Sequence, residues 1–170
     1  DVTLGKFGVI NSANLIVGAN SVLAGNGQVV GSVQSQGIVA PSGKMLITGD
    51  FSSSGTLGFS IGGLVPELEH DQLVVGGQID LSGTVALVQT NSFTPKDGQS
   101  IRVATYASKT SNNPNYVGLD FGGDAEFSPE FSSAALSFNV GFSSGPRVLS
   151  ITPSDSTVYP VDSPFVEVLF

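Results

Sequence analysis

Asp120, Asp124 and Glu126, inside Leu119-Asp-Phe-Gly-Gly-Asp-Ala-Glu126, are the residues whose type and spacing come nearest to a metal site. Three carboxylates so close in sequence could ring a calcium ion with hard oxygen ligands. Their spacing misses the EF-hand loop, and an acidic surface turn is the plainer reading. Tyr106 and Tyr116, with Phe121, could stack on sugar rings. Tyr116 lies in a stretch rich in Ser, Asn and Pro and is the better exposed candidate, whereas Tyr106 follows a strand pattern and is expected to be half-buried. Gly58-Phe-Ser60-Ile-Gly62 matches a nucleophile-elbow string, in which a strained strand-to-helix turn exposes the serine. No helix pattern follows it, and the single histidine, His70, offers no base downstream, so strand alternation explains the string better. His70 stands between Glu69 and Asp71, yet a zinc site wants several strong ligands, and a solvated loop is expected there. Asp71 itself reads as structural, and Asp50 stands alone. No paired carboxylates for sugar-bond cleavage are therefore visible, and catalysis is not expected.

These residues must be positioned by something, and a ladder of glycines says what. Gly25, Gly31, Gly37, Gly43, Gly49 and Gly55 recur at a six-residue step. Two residues after the last five stand Val33, Val39, Met45, Phe51 and Leu57, while Gly27 fills that slot after Gly25. Side chains in a strand alternate faces, so one buried residue beside a turn residue at fixed spacing marks short strands joined by tight corners. Three such faces make a coil of about 18 residues, with Gly25 stacked on Gly43, Gly31 on Gly49 and Gly37 on Gly55. The sequence thus predicts an all-β chain, a β-solenoid (parallel β-helix) followed by a β-rich cap. The alternative is a β-sandwich built from an antiparallel meander with evenly spaced turns. Two coils alone bury too little apolar surface to offset their backbone entropy, so further coils and a cap are expected. Looser coils are expected over Leu4–Asn11 and Leu15–Leu23.

Composition narrows the function classes. Six basic against fourteen acidic residues give a net charge of -8, which argues against nucleic acid. Only 12% of residues are charged and cysteine is absent, so neither a disulfide framework nor a thiolate metal site is available. Mean hydropathy is +0.25, but no apolar run approaches the roughly 18 residues that a spanning helix needs, and membrane insertion is not expected. The chain opens at Asp1 with neither a start methionine nor a signal peptide, and is expected to be cut from a longer protein.

Beyond Gly62 the texture changes. Gly62 to Asp71 reads as an acidic loop interrupting the hexads, followed by strands over 71–87 and 101–106. Residues 108–118 read as a long surface loop, and strand-like pieces resume at 117–121 and 135–142. The run from Pro41 to Leu57, then Asp71-Gln-Leu-Val-Val-Gly-Gly, Leu81-Ser-Gly-Thr-Val and Phe93-Thr-Pro-Lys-Asp-Gly-Gln-Ser-Ile101, resembles the β-helical stalks of autotransporter-type adhesins near their C-terminal end. That resemblance covers roughly residues 22–142 and implies a secreted scaffold whose last coils stabilise the stalk, without specifying a ligand. The tail from Pro146 to Phe170 is similar to the opening strands of bacterial immunoglobulin-like modules, and equally to a proline-rich linker.

The resulting expectation has coils over 1–90, a cap over 91–145, and a linker or first immunoglobulin-like strands over 146–170. The function expected is a non-catalytic structural or adhesion scaffold at the cell surface or outside the cell. Its expected partners are neighbouring domains of the same protein, with self-assembly or surface glycans as further options. No cofactor is expected, calcium being the one option. The alternative is a carbohydrate-binding module using the 106–126 loops; a polysaccharide-acting enzyme ranks third.

Overall fold

The computed structural model describes residues 1–122 and 125–142, and every regular element among them is a strand. In chain order these are β1 (Val2–Leu4), β2 (Val9–Val17), β3 (Val22–Gly25), β4 (Gln28–Ser35), β5 (Ile38–Pro41), β6 (Lys44–Ile47), β7 (Phe51–Ser53) and β8 (Thr56–Ile61). There follow β9 (Gln72–Val75), β10 (Gln78–Leu81), β11 (Thr84–Gln89), β12 (Ser100–Thr105), β13 (Ser108–Lys109), β14 (Asn115–Val117), β15 (Ala125–Phe131) and β16 (Ala135–Phe142). The all-β class read from the sequence therefore holds. Residues 146–170 lie outside the described residues, as does Asp124.

Alternation sets which side chains go inside. In β8, Leu57, Phe59 and Ile61 are buried while Thr56, Gly58 and Ser60 face out. Gly58-Phe-Ser60-Ile-Gly62 is thus a strand running into a turn, as alternation implied, and no helix follows it. The core gathers inward residues from every strand but β13, with Val29, Val39, Met45, Ile47, Phe51 and Leu57 wholly buried.

One sheet is parallel throughout, in the order β1-β3-β5-β8-β11-β14. The second sheet curls. Its β4 pairs with β6 through Gln28 and Val29 and with β7 through Val33, Gln34 and Ser35, so one strand turns a corner and serves two neighbours. β2 follows β4 round that corner, with a register shift between Asn11 and Asn14. At the far end, β12 pairs parallel with β9 on one side and antiparallel with β16 on the other, and β15 closes the hairpin.

The registers advance in common steps. Val29 stands opposite Ile47, Val33 opposite Phe51 and Val39 opposite Leu57, each pair separated by the same three hexads of chain. Met45 then faces Leu73, Phe51 faces Ile79 and Leu57 faces Val85, again with one separation common to all, but a longer one. The added length is the loop over 62–71, between Ile61 and Gln72.

Two glycine columns lie where the hexads imply. Thr56 N–H donates to the Gly37 carbonyl (2.9 Å) and Thr84 N–H to that of Gly55 (2.9 Å), and a Cβ at Gly55 would collide with the Gly37 oxygen. Gly49 N–H donates likewise to Gly31 O (2.9 Å). The third column differs: Gly25 stands opposite Pro41, not Gly43. Here the advance from β3 to β5 falls short of three hexads, Leu23 facing Val39, and Ser42 and Gly43 in the following corner make up the difference.

The stretch 108–118 also departs from expectation. It holds β13 and β14, which pair with β10 and β11, whereas the sequence reads as an open loop. These strands are very short; β13 (Ser-Lys) owes its extended form to the backbone groups of β10, while β14 (Asn-Tyr-Val) adds two residues that favour strands to its pairing with β11.

Candidate functional site

The aromatic residues singled out for sugar stacking turn inward and fasten the closing hairpin. Tyr106 is buried, its ring edge-on to Phe131 at 5.6 Å, and its hydroxyl donates to Ser132 O (2.8 Å). Tyr116 sits on β14 and is half-buried, edge-on to Phe138 at 5.9 Å, so the exposed loop position expected of it is not found. Phe121 meets Phe127 in the same way at 5.0 Å. Edge-to-face contacts of this kind add to apolar burial and fix the angle between elements. Burial pushes the Tyr106 hydroxyl well above the ordinary phenol range, and the nearness of Tyr116 adds to this; burial raises Tyr116 as well. In each pair the partner ring belongs to the hairpin, so the tyrosines clasp β15 and β16.

Of the acidic trio, Asp124 lies outside the described residues. Asp120 and Glu126 form an isolated antiparallel bridge through their backbones. Asp120 Oδ1 accepts from Gly122 N–H (2.7 Å), closing a local turn. No group of three or more potential metal ligands occurs among the described residues.

The loop over 62–71 is exposed from Leu64 to Glu69, as expected, but His70 and Asp71 turn inward. His70 is buried, with Nδ1 at 3.2 Å from Gly63 O and Nε2 without a hydrogen-bond partner. Gly62 N–H donates to Glu69 O (2.6 Å), Glu69 N–H to Val65 O (2.8 Å) and Glu67 N–H to His70 O (3.0 Å). Those bonds wrap the loop about the imidazole, so Glu67-Leu-Glu-His-Asp is exposed over its first three residues and buried at His70 and Asp71. Asp71 anchors the loop to the sheets, its Oδ1 accepting from Gly43 N–H and its Oδ2 from Ser60 N–H, both at 2.7 Å. Sequence reading assigned Asp71 a structural role; the two donors it serves come from separate strand ends, each distant in the chain.

A carboxylate pair that sequence reading missed lies on the outer face of β7 and β10. Asp80 stands opposite Ser52, close to Asp50, so both acids line one shallow surface depression with Gln34 and Ser52. The only cue in the sequence was the insertion over 62–71, which brings residue 80 beside residue 52. Both carboxylates are engaged: Asp50 Oδ1 accepts from Gln78 N–H (2.7 Å), and Asp80 Oδ1 accepts from Thr110 Oγ1 (2.9 Å) and Asn112 Nδ2 (2.7 Å). Asp50 thereby ties the start of β7 to β10, and Asp80 ties β10 to the segment that follows β13.

No family model, curated protein or solved structure matches this chain.

Proposed function

We propose that the chain is a non-catalytic structural segment of an extracellular surface protein: a β-solenoid whose coils stack into a stiff rod, closed at one end by a hairpin. A single observation carries this reading, the step shared by three separate ladders. All three advance by the same three hexads, and when residues 62–71 enter between Ile61 and Gln72 all three lengthen together by the same amount. Winding about one axis requires that common change, whereas a meander lengthens only the connection that receives the insertion. Interstrand hydrogen bonds then run along the axis and make each coil the template for the next.

The hairpin supports a capping role. β16 pairs antiparallel with β12, an orientation that stops the parallel pattern, and exposed edges left open recruit other chains. An extracellular setting draws support from a surface that relies on uncharged polar residues, with 12% of residues charged, and from the stalk-like cadence of residues 22–142. In this role the chain needs no cofactor, and its partners are the flanking segments of the same protein. Carbohydrate binding by the 106–126 loops has weaker support, because Tyr106, Tyr116 and Phe121 are committed to the hairpin.

Duplicating residues 38–55 in frame tests the reading. A wound chain accepts one more coil, keeps its β circular dichroism and lengthens by about 4.8 Å in solution scattering. Duplicating only residues 38–46 puts every later side chain out of register and unfolds the protein. Equal loss of structure in both variants would overturn the proposal.

A further inference from the structure

A groove of about 560 Å³ runs across the corners of the first turns of chain and is walled on one side by the loop over 62–71. Its volume falls in the range of small-ligand sites. Two of the most exposed large apolar side chains stand over it: Phe7, at 89% exposure, and Leu68, at 84%. Neither serves the core, and each occupies a turn or loop position that a polar residue could fill without cost to the fold. Phe7 is also the one aromatic among the strongly exposed large hydrophobics of the described residues.

Charge marks the same place. The chain carries -8 overall, yet two of its six basic residues, Lys6 and Lys44, line this groove against one acid, Glu67. Lys44 Nζ lies 3.0 Å from Glu67 Oε1, both side chains being about half exposed, which fixes the loop wall and leaves further ammonium donors free. Lys6 adds a second cation, and the amides of Asn26 and Gln28 add donors and acceptors. The strands β4 and β6, which contribute Gln28 and Lys44, are paired on both sides, so the groove offers no open ladder to an extended peptide there.

We infer that this groove binds an acidic saccharide, a sugar chain bearing carboxylates. The apolar C–H face of a ring rests on Phe7 and Leu68, its hydroxyls meet Asn26 and Gln28, and its carboxylate meets the Lys6 and Lys44 ammonium groups. The site is independent of the rod reading, since it asks only that these residues stay folded together.

Calorimetric titration with a galacturonic acid trimer, and with the same trimer methyl-esterified to remove its charge, tests the assignment. Expected are saturable binding of the acid with a Kd below about 1 mM, and at least roughly ten-fold weaker binding of the ester. Phe7→Ala is expected to weaken the acid about ten-fold and Lys6→Gln about five-fold, each with unchanged circular dichroism and melting temperature. Equal binding of acid and ester, failure of the acid to bind up to about 10 mM, or binding untouched by both substitutions overturns the inference.

Discussion

At the scale of single residues, the groups that sequence offers as chemistry mostly turn out to hold backbone. Asp71 satisfies two N–H groups from separate strand ends, Gly43 and Ser60. Truncating it leaves both donors without their charged acceptor, and such losses cost about 1.5–3 kcal/mol per bond. Asp71→Ala is therefore expected to lower unfolding free energy by roughly 3 kcal/mol or more in urea titration, with Asp71→Asn falling in between. A loss under about 1 kcal/mol for the alanine variant would show that the loop is held by other means. The tyrosines make a pH prediction. Unfolded phenols release their proton near pH 10, while burial keeps Tyr106 and Tyr116 protonated in the folded chain. A raised folded pKa means stability that is whole below about pH 10 and is lost as pH rises beyond it. Phenolate absorbance from these two residues should accordingly appear together with loss of the β circular dichroism signal. Ionisation of both at an ordinary midpoint, with the β signal intact, would contradict their placement against the hairpin.

At the scale of elements, legibility followed periodicity. The strands from β4 to β8 could be read directly, because each pairs an inward apolar residue with a corner glycine at constant spacing. The column through Gly37, Gly55 and Gly83 was partly visible: its first two members belong to the six-residue ladder, and the third is displaced by the inserted loop. At Gly55 the neighbouring backbone approaches so closely that a Cβ would strike the Gly37 carbonyl and the backbone of Gln36. Gly55→Ala is expected to cost at least about 3 kcal/mol or to prevent soluble expression, since the Gln36–Gly37 backbone cannot yield. Gly58→Ala meets nothing within 4 Å and serves as the control, with a loss of at most about 1 kcal/mol. Similar stability of the two variants would remove the close-packed corner from the account. What sequence could not show was pairing without local propensity. β13 is a strand only because β10 lies alongside it, and β14, too short to stand out within a Ser-, Asn- and Pro-rich stretch, draws Tyr116 inward as it pairs with β11. Likewise Asp50 and Asp80 share a face only once the longer register step is known.

At the scale of the whole molecule, asymmetry between the ends is the main feature. At one end β1 and β2 each pair on one side only among the described residues, and Val2, Val9 and Ile16 remain exposed there. At the other, the antiparallel hairpin buries Phe127, Leu136 and Phe138 and receives the tyrosine clasp. In the proposed rod the hairpin covers part of this far end, where β13 and β14 also pair on one side only among the described residues. The Phe7 groove lies on the side of the molecule that carries β1 and β2 and is walled by the loop over 62–71.

The register of neighbouring parallel strands can be measured directly because the chain contains no cysteine. Gln34 stands opposite Ser52 in a parallel ladder, both on the outer face, and neighbouring strands lie about 4.8 Å apart, within disulfide reach. The double substitution Gln34→Cys with Ser52→Cys should form an intramolecular disulfide under mild oxidation while the β signal is retained, and Gln34→Cys with Thr56→Cys, on a different ladder, should not. Failure of the first pair to close, or equal closure of both, would contradict the stacked winding on which the proposed function rests.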